Sequence, residues 1–315
     1  MPPSQRDSYL LFHDLPYDFE TDLPLSLGPQ IYLDNTPKKI LDSVEPSAWA
    51  DYVLPGYNCI GGLNNCCLYC PASDTRPLGL EPSDLFYLAV PALRLRAPLN
   101  IHIAGQFEVG AGSDLIKNPI LYQLISPWRP LGHFSYSGQD INAANEIAKR
   151  LLQVTQNNYK KFNSAAVLFG QVTCGHSKSF QMAYLALFAT LEALFTPGKP
   201  YANVLSRRIA NFLSRFTFPA GSIEDWLRDE YTRGRSDLAH GVQTVTPWAR
   251  TRNHRAEALG RLHEIARLSI LGFLSLDESK LSSLSNNTGT RLQHELDNLS
   301  PASGQFINEQ RFWCN

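Results

Sequence analysis

The spacing of apolar positions changes character near residue 140. Before it, short apolar runs are separated by proline-containing turns such as Leu15-Pro16, Leu23-Pro24, Gly28-Pro29, Leu54-Pro55-Gly56 and Arg129-Pro130. Ile101-His102-Ile103 followed by Gln106-Phe107-Glu108-Val109 alternates with the period of two expected of a half-buried strand. Tyr87 to Val90 and Leu93-Arg94-Leu95 are weaker strand candidates. Thr36 to Val44 predicts a short helix capped by Asn35 or Thr36. A mixed α+β domain over residues 1–140 is the expectation.

From residue 141 onward the period becomes helical. Ile141, Ala144, Ile147 and Leu151 predict a first helix over residues 141–162. Phe180, Tyr184, Leu187, Phe188, Leu191 and Phe195 predict a second from Ser179 to Phe195, which Thr196-Pro197-Gly198 ends. A third spans Asn203 to Phe216. Ser222 with Asp225 three residues on opens a fourth, running towards His240 and ending at Gly241. A fifth covers Arg252 to Leu274. The polar stretch Ser282 to Asn287 then leads to a last short helix over Thr290–Leu299. The chain over 141–315 therefore reads as an all-α helical bundle, and the whole as α+β.

Composition narrows the class. The chain has 315 residues, 43% hydrophobic and 18% charged, with a formal net charge of −1. That is a globular composition, not that of a disordered, collagen-like or coiled-coil chain. The start lacks a basic stretch followed by an apolar core, and the greasy region Phe180–Phe195 is too short to span a bilayer, so no membrane association and a cytoplasmic location are expected. The neutral total hides an asymmetry. Residues 1–159 hold 10 basic and 16 acidic side chains (net −6), residues 160–275 hold 15 and 8 (net +7), and residues 276–315 hold 3 and 5 (net −2). A basic region beside an acidic domain suggests a polyanion partner, and equally suggests a basic face docked on the acidic domain of the same chain.

The segment richest in chemistry is Tyr231-Thr232-Arg233-Gly234-Arg235-Ser236-Asp237-Leu238-Ala239-His240-Gly241. Histidine titrates near neutral pH and can take the 2′-OH proton of RNA or protonate the leaving 5′-oxygen. A guanidinium can hold a phosphate and stabilise its extra transition-state charge. On an ideal helix, residues five apart lie ~140° around and ~7.5 Å along the axis. One copy of Arg235 and His240 is therefore a poor site, whereas two copies facing each other across a dimer could surround one phosphate. The same residues also have a plain structural reading, with Arg235 paired to Asp237 or Glu192 and His240 ending the helix.

This segment resembles the signature of HEPN domains, Arg followed by four to six residues and His, with a polar residue directly after the Arg. Tyr231-x-x-x-Arg235-Ser236-x-x-x-His240-Gly241 is similar to the Apea-like branch of that family. Leu185 to Phe195, containing Leu191-Glu192-Ala193-Leu194, resembles that branch's Leu-Glu-Ala-Leu helix, and Leu205-Ser206-Arg207-Arg208-Ile209-Ala210 its following Arg-Ile-Ala segment. The resemblance implies an all-α, dimeric domain acting without metal or other cofactor as an endoribonuclease, of the kind found in toxins and antiphage defence. It implies Arg235 and His240 as the catalytic pair, with Ser236, Tyr231 and Glu192 in support. Glu192 would orient Arg235 from the neighbouring helix. Asp237 is added on adjacency alone. Arg233, Arg207 and Arg208 are the expected RNA contacts. Some members are silent scaffolds, which leaves a binding protein with a basic face as the alternative. The amino-terminal domain would then sense an unknown trigger.

Other clusters carry less. Cys59, Cys66, Cys67 and Cys70 could form a thiolate zinc site, although the vicinal pair is awkward and a buried turn explains them equally. His102 reads as an ordinary strand or loop residue, as do His133 and His176. His254 and His263, among Arg252, Arg255, Arg261 and Arg267, either extend the candidate RNA-binding face or belong to an ordinary solvated helix surface. No glycine-rich phosphate loop and no Gly-x-Ser-x-Gly nucleophile elbow occurs.

Overall fold

A computed structural model describes residues 6–15, 17, 23–43, 66–73, 75–76, 79–97, 102–110, 114–118, 135–173, 180–196, 198, 201–218, 221–235, 252–302 and 306. The chain is mixed α+β. It divides into two compact units. One comprises Met1–Arg94, Ile101–Ile125 and Phe134–Lys149, and the other Leu95–Asn100, Ser126–His133 and Arg150–Asn315.

Among its described residues the first unit is built on six strands: β1 (Asp7–Asp14), β2 (Leu25–Ser26), β3 (Tyr32–Asn35), β4 (Cys66–Cys70), β5 (His102–Val109) and β6 (Leu115–Asn118). They form one sheet in the order β2-β3-β4-β1-β5-β6 with every neighbouring pair antiparallel. In the central strands Leu10 and Leu11, and likewise Cys67 and Leu68, are buried although they point to opposite faces. Burial on both faces removes the alternation that a sequence reading relies on. One face packs Leu11, Cys67, Phe107 and Val109 against Ile40 of α1 (Lys38–Ser43). Residues 102–109 do form the strand their alternation suggests. Its register with β1 slips between Leu11 and Asp14, a bulge that re-aims the end of β1.

The weak strand candidates at residues 87–95 are overturned. Pro82–Arg96 is a helix, α2, with Leu85, Phe86, Ala89, Val90, Ala92 and Leu93 buried at helical spacing. Asp84 accepts from the Glu81 amide and caps its start. The predicted helix over 141–162 is two helices, α3 (Gly138–Gln156) and α4 (Lys160–Thr173). Asn158, at φ +52, takes the left-handed conformation that ends a helix. Ser137 and Asp140 open α3 by reciprocal side-chain-to-backbone bonds.

The second unit continues with α5 (Phe180–Phe195), α6 (Ala202–Phe212), α7 (Ile223–Asp229), a π-helical turn (Glu230–Arg235), α8 (Arg252–Leu274), α9 (Glu278–Asn286) and α10 (Gly289–Asp297). The polar stretch ahead of α10 is therefore helical too, capped by Asp277 accepting from the Lys280 amide. Phe195, Phe212 and Phe273 meet pairwise at ring separations of 5.4, 5.3 and 5.2 Å and knit α5, α6 and α8 together. Gly272 lets them approach: a Cβ there would come within 2.6 Å of the Phe212 ring and 2.7 Å of the Ala302 Cβ. Among the described residues, no helix is long and apolar enough to cross a membrane.

Alanine normally favours a helix over glycine by about 1 kcal/mol, yet Gly272→Ala should destabilise the protein by ~1–3 kcal/mol through overpacking. Urea unfolding checks this, and a rise in stability would contradict it.

Candidate nucleic-acid site

The described part of the motif sits where α7 passes into the π-helical turn. Ser222 caps α7 by accepting from the Asp225 amide, as the sequence suggests. The wider winding then presents Glu230, Tyr231 and Arg235 to α5. On α5, residues Tyr184, Phe188 and Glu192 are four apart and form one stripe. The two stripes meet rung by rung. The Tyr184 hydroxyl donates to Glu230 Oε2 at 2.7 Å. The ring of Phe188 meets those of Tyr184 and Tyr231 edge-on at 5.0 and 5.4 Å. The Tyr231 hydroxyl donates to Glu192 Oε1 at 2.8 Å.

Arg235 completes the last rung. Its Nη2 lies 3.0 Å from Glu192 Oε1 and donates to Oε2 at 3.3 Å. The guanidinium carbon also stands 5.1 Å from the Tyr231 ring centroid, within cation–π range. The Arg235 and Glu192 side chains are 26% and 18% exposed, so the pair sits at a half-buried edge open to solvent. Among the described residues, the bonds to Arg235 all run through Nη2, which leaves the rest of the fork able to hold an oxyanion. The neighbouring carboxylate balances the charge, so orientation rather than net charge would recruit a phosphate.

Both tyrosines are held in the neutral form. Burial raises the Tyr184 phenol far above its usual value, and the Glu230 carboxylate raises it further. Burial also raises Tyr231, helped by the bond to Glu192 and opposed by Arg235. Neither tyrosine is therefore an anion near neutral pH.

Ser236, Asp237 and His240 lie outside the described residues. Arg233 is 75% exposed and pairs with Asp229 at 2.9 Å. Arg207 is exposed, 3.5 Å from Asp297. Arg208 corrects the expectation of an RNA contact. Its side chain is 4% exposed and donates to Asp297 Oδ1 at 2.8 Å and to the Phe195 carbonyl at 2.9 Å. The basic face on α8 also shrinks. His263 and Arg267 are buried, His263 against the Phe169 ring at 4.9 Å and Arg267 against Glu264.

The cysteine cluster is not a metal site over its described part. Cys59 lies outside the described residues, while Cys66, Cys67 and Cys70 are all on β4. Strand alternation points Cys67 to one face and Cys66 and Cys70 to the other, so the three cannot converge on an ion. Among the described residues no group of three or more potential metal ligands forms. Burial pushes the Cys66 and Cys67 thiols up to about 12 and Cys70 up to about 11, away from the thiolate a metal needs.

The Tyr184–Glu230 rung has no counterpart in the motif. Its sequence signal is the four-residue spacing of Tyr184, Phe188 and Glu192, which puts a polar hydroxyl on the stripe that carries the motif's glutamate.

An unfolded phenol titrates near pH 10. Because the native phenols hold their protons longer, the unfolded state releases protons first, and native stability should fall as pH rises above about 10. Tyr184→Phe should flatten that fall in urea titrations at pH 9–11, and an unchanged slope would contradict the assignment.

No family model, curated protein or solved structure gives a match to this chain.

Proposed function

We propose that the chain is a metal-independent endoribonuclease that cuts single-stranded or looped RNA and works as a homodimer, as a toxin or antiphage effector. The observation that carries this reading is the Glu192–Arg235–Tyr231 constellation. It fixes a guanidinium at a solvent-open edge on the segment that continues to His240. In the reaction, the 2′-oxygen attacks the adjacent phosphorus as its proton leaves to a base, and the bond to the 5′-oxygen breaks as that oxygen is protonated. The products are a 2′,3′-cyclic phosphate and a 5′-hydroxyl. Arg235 supplies hydrogen bonds to the phosphoryl oxygens, whose charge grows in the transition state. His240 carries one of the two proton transfers. Glu192 and Tyr231 touch neither bond and serve to orient Arg235. Looped RNA is favoured because its 2′-oxygen can reach the in-line arrangement that a regular helix denies.

One observation favours a second reading, a silent scaffold that binds RNA or protein. The Glu192 carboxylate already neutralises Arg235, as it would in a site whose task is structural.

Purified protein incubated with RNA in excess chelator separates the two. Cleavage should persist without metal, leave an all-DNA substrate intact, and fall ~10²–10³-fold in Arg235→Ala and His240→Ala. Glu192→Gln should lose less, since it keeps the guanidinium and removes only its anchor. Absence of cleavage, or equal cleavage by both alanine variants and the parent, selects the scaffold.

A further inference from the structure

The first unit contains a second arginine in an environment that calls for a partner. Arg76 lies in the connection between β4 and α2, and its side chain is only 6% exposed. Its Nη1 is 3.2 Å from Glu81 Oε2, while Nε and Nη2 are closed off from solvent and have no hydrogen-bond partner among the described residues. These two nitrogens are not an arbitrary pair. Their N–H bonds run parallel along one edge of the guanidinium, the fork that accepts two oxygens of a planar anion side by side.

A second orphaned group lies close by in the chain path. The Gln30 side chain donates through Nε2 to the Thr75 carbonyl at 2.7 Å, the residue immediately before Arg76. Its Oε1 is also buried without a partner among the described residues. Gln30 sits at φ +58, a conformation that glycine or asparagine fills at lower cost. A glutamine is held there against its backbone preference, and its amide is tied to the Arg76 segment. Two further polar side chains flank the region: Ser8 and Cys70 face each other across the β1–β4 ladder, both buried. Arg76 acts on Cys70, since its charge draws that thiol back down against the larger effect of burial.

Leaving a buried polar group unpaired costs ~1–3 kcal/mol, and more for a charged one. Two donors and one acceptor, orphaned at adjacent places in the fold, describe the negative image of a ligand with two acceptors and one donor. We propose that the Nε/Nη2 edge of Arg76 binds the carboxylate of a small organic acid, with Gln30 Oε1 accepting from a hydroxyl or amine the same molecule carries beside its carboxylate. A carboxylate fits better than a phosphate. Glu81 already balances the guanidinium, so a carboxylate leaves one negative charge uncompensated where a phosphate leaves nearly two, in a stretch of chain (residues 1–159) that already carries a net charge of −6. Entry requires the Arg76 side chain itself to give way, since its Nε and Nη2 are closed off from solvent. The restraint that such a movement breaks is the bond to Glu81, whose own side chain is 62% exposed.

The test uses the full chain with glycolate, acetate and inorganic phosphate as probes and chloride as the ionic-strength control. Arginine side-chain Nε–H resonances are followed by NMR alongside thermal unfolding. Arg76→Lys, which keeps the charge and removes the fork, assigns the Arg76 signal by its disappearance. Glycolate should shift that signal saturably and raise Tm, with acetate weaker because it has no donor for Gln30. Arg76→Lys should weaken the affinity read from the concentration dependence of Tm on the order of tenfold, the loss of one charge-assisted bond, and Gln30→Leu should erase the advantage of glycolate over acetate. A signal that no anion moves overturns the site, as does an equal Tm response in Arg76→Lys. Saturation by phosphate but not glycolate overturns the assignment to a carboxylate. Because these readouts do not involve RNA, they stand or fall separately from the nuclease reading.

Discussion

A guanidinium taken out of water must find acceptors, and a helix end taken out of water must find donors. The second unit meets both needs with the same bonds. Arg208 donates to the carbonyl of Phe195, the last residue of α5. Arg150 donates to the carbonyls of Leu274 and Leu276, where α8 ends. Arg267 donates to the Leu95 carbonyl at 2.6 Å, near the end of α2. Carbonyls in a last helical turn have no partner within the helix and carry the negative end of its dipole. A long cationic side chain from another helix satisfies them. Each arginine is further neutralised by a carboxylate: Asp297 for Arg208, Glu278 for Arg150 and Glu264 for Arg267. The packing of the aromatic core around Phe195, Phe212 and Phe273 depends on helix ends placed in this way.

The candidate site uses the same chemistry with one change. Arg235 also gains a carboxylate from a neighbouring helix, but it has no helix carbonyl to clip among the described residues. Among the described residues its bonds stop at Glu192, and its side chain keeps 26% exposure where Arg208 and Arg267 are buried. What separates Arg235 from Arg208 and Arg267 is what the guanidinium does after its carboxylate is found. Neither charge nor spacing along the sequence distinguishes the two cases.

That explains which parts were legible. Elements whose signal is local came through: the Ser222 cap, the helix over 252–274 and the alternation of 102–109 all rest on residues within a turn or two of one another. Glu192 is one of two partners that a plain pairing of Arg235 allows, and the resemblance favours it; the contact itself spans 43 residues, beyond any periodicity argument. The missed elements fail for identifiable reasons. β4 is Cys66-Cys67-Leu68-Tyr69-Cys70, apolar on both faces, so it offers no alternation and its thiols draw attention as ligands. In α2, Pro91 and the aliphatic residues around it argue for short strands, while burial of one face decides for a helix. In α9, a polar sequence with only Leu281 and Leu284 buried hides the helix that Asp277 starts.

The regional charge needs the same correction. A net +7 over residues 160–275 says that basic side chains are in excess there, not that they share a surface. Arg208 and Arg267 contribute to that sum from the interior, and Arg228, Arg233 and Arg261 are each paired with a carboxylate one helical turn away. An exposed pair of that kind still carries a positive end, but its field is dipolar and falls off faster than that of a lone charge. Attraction of a polyanion from a distance would therefore be weaker than the sum implies. At the proposed site orientation would matter more than charge density, and Glu192 orients Arg235. A protein that recruited RNA by bulk charge would bind duplex and single strand alike. One that depends on a single oriented guanidinium discriminates by whether the backbone can bring a phosphate to it.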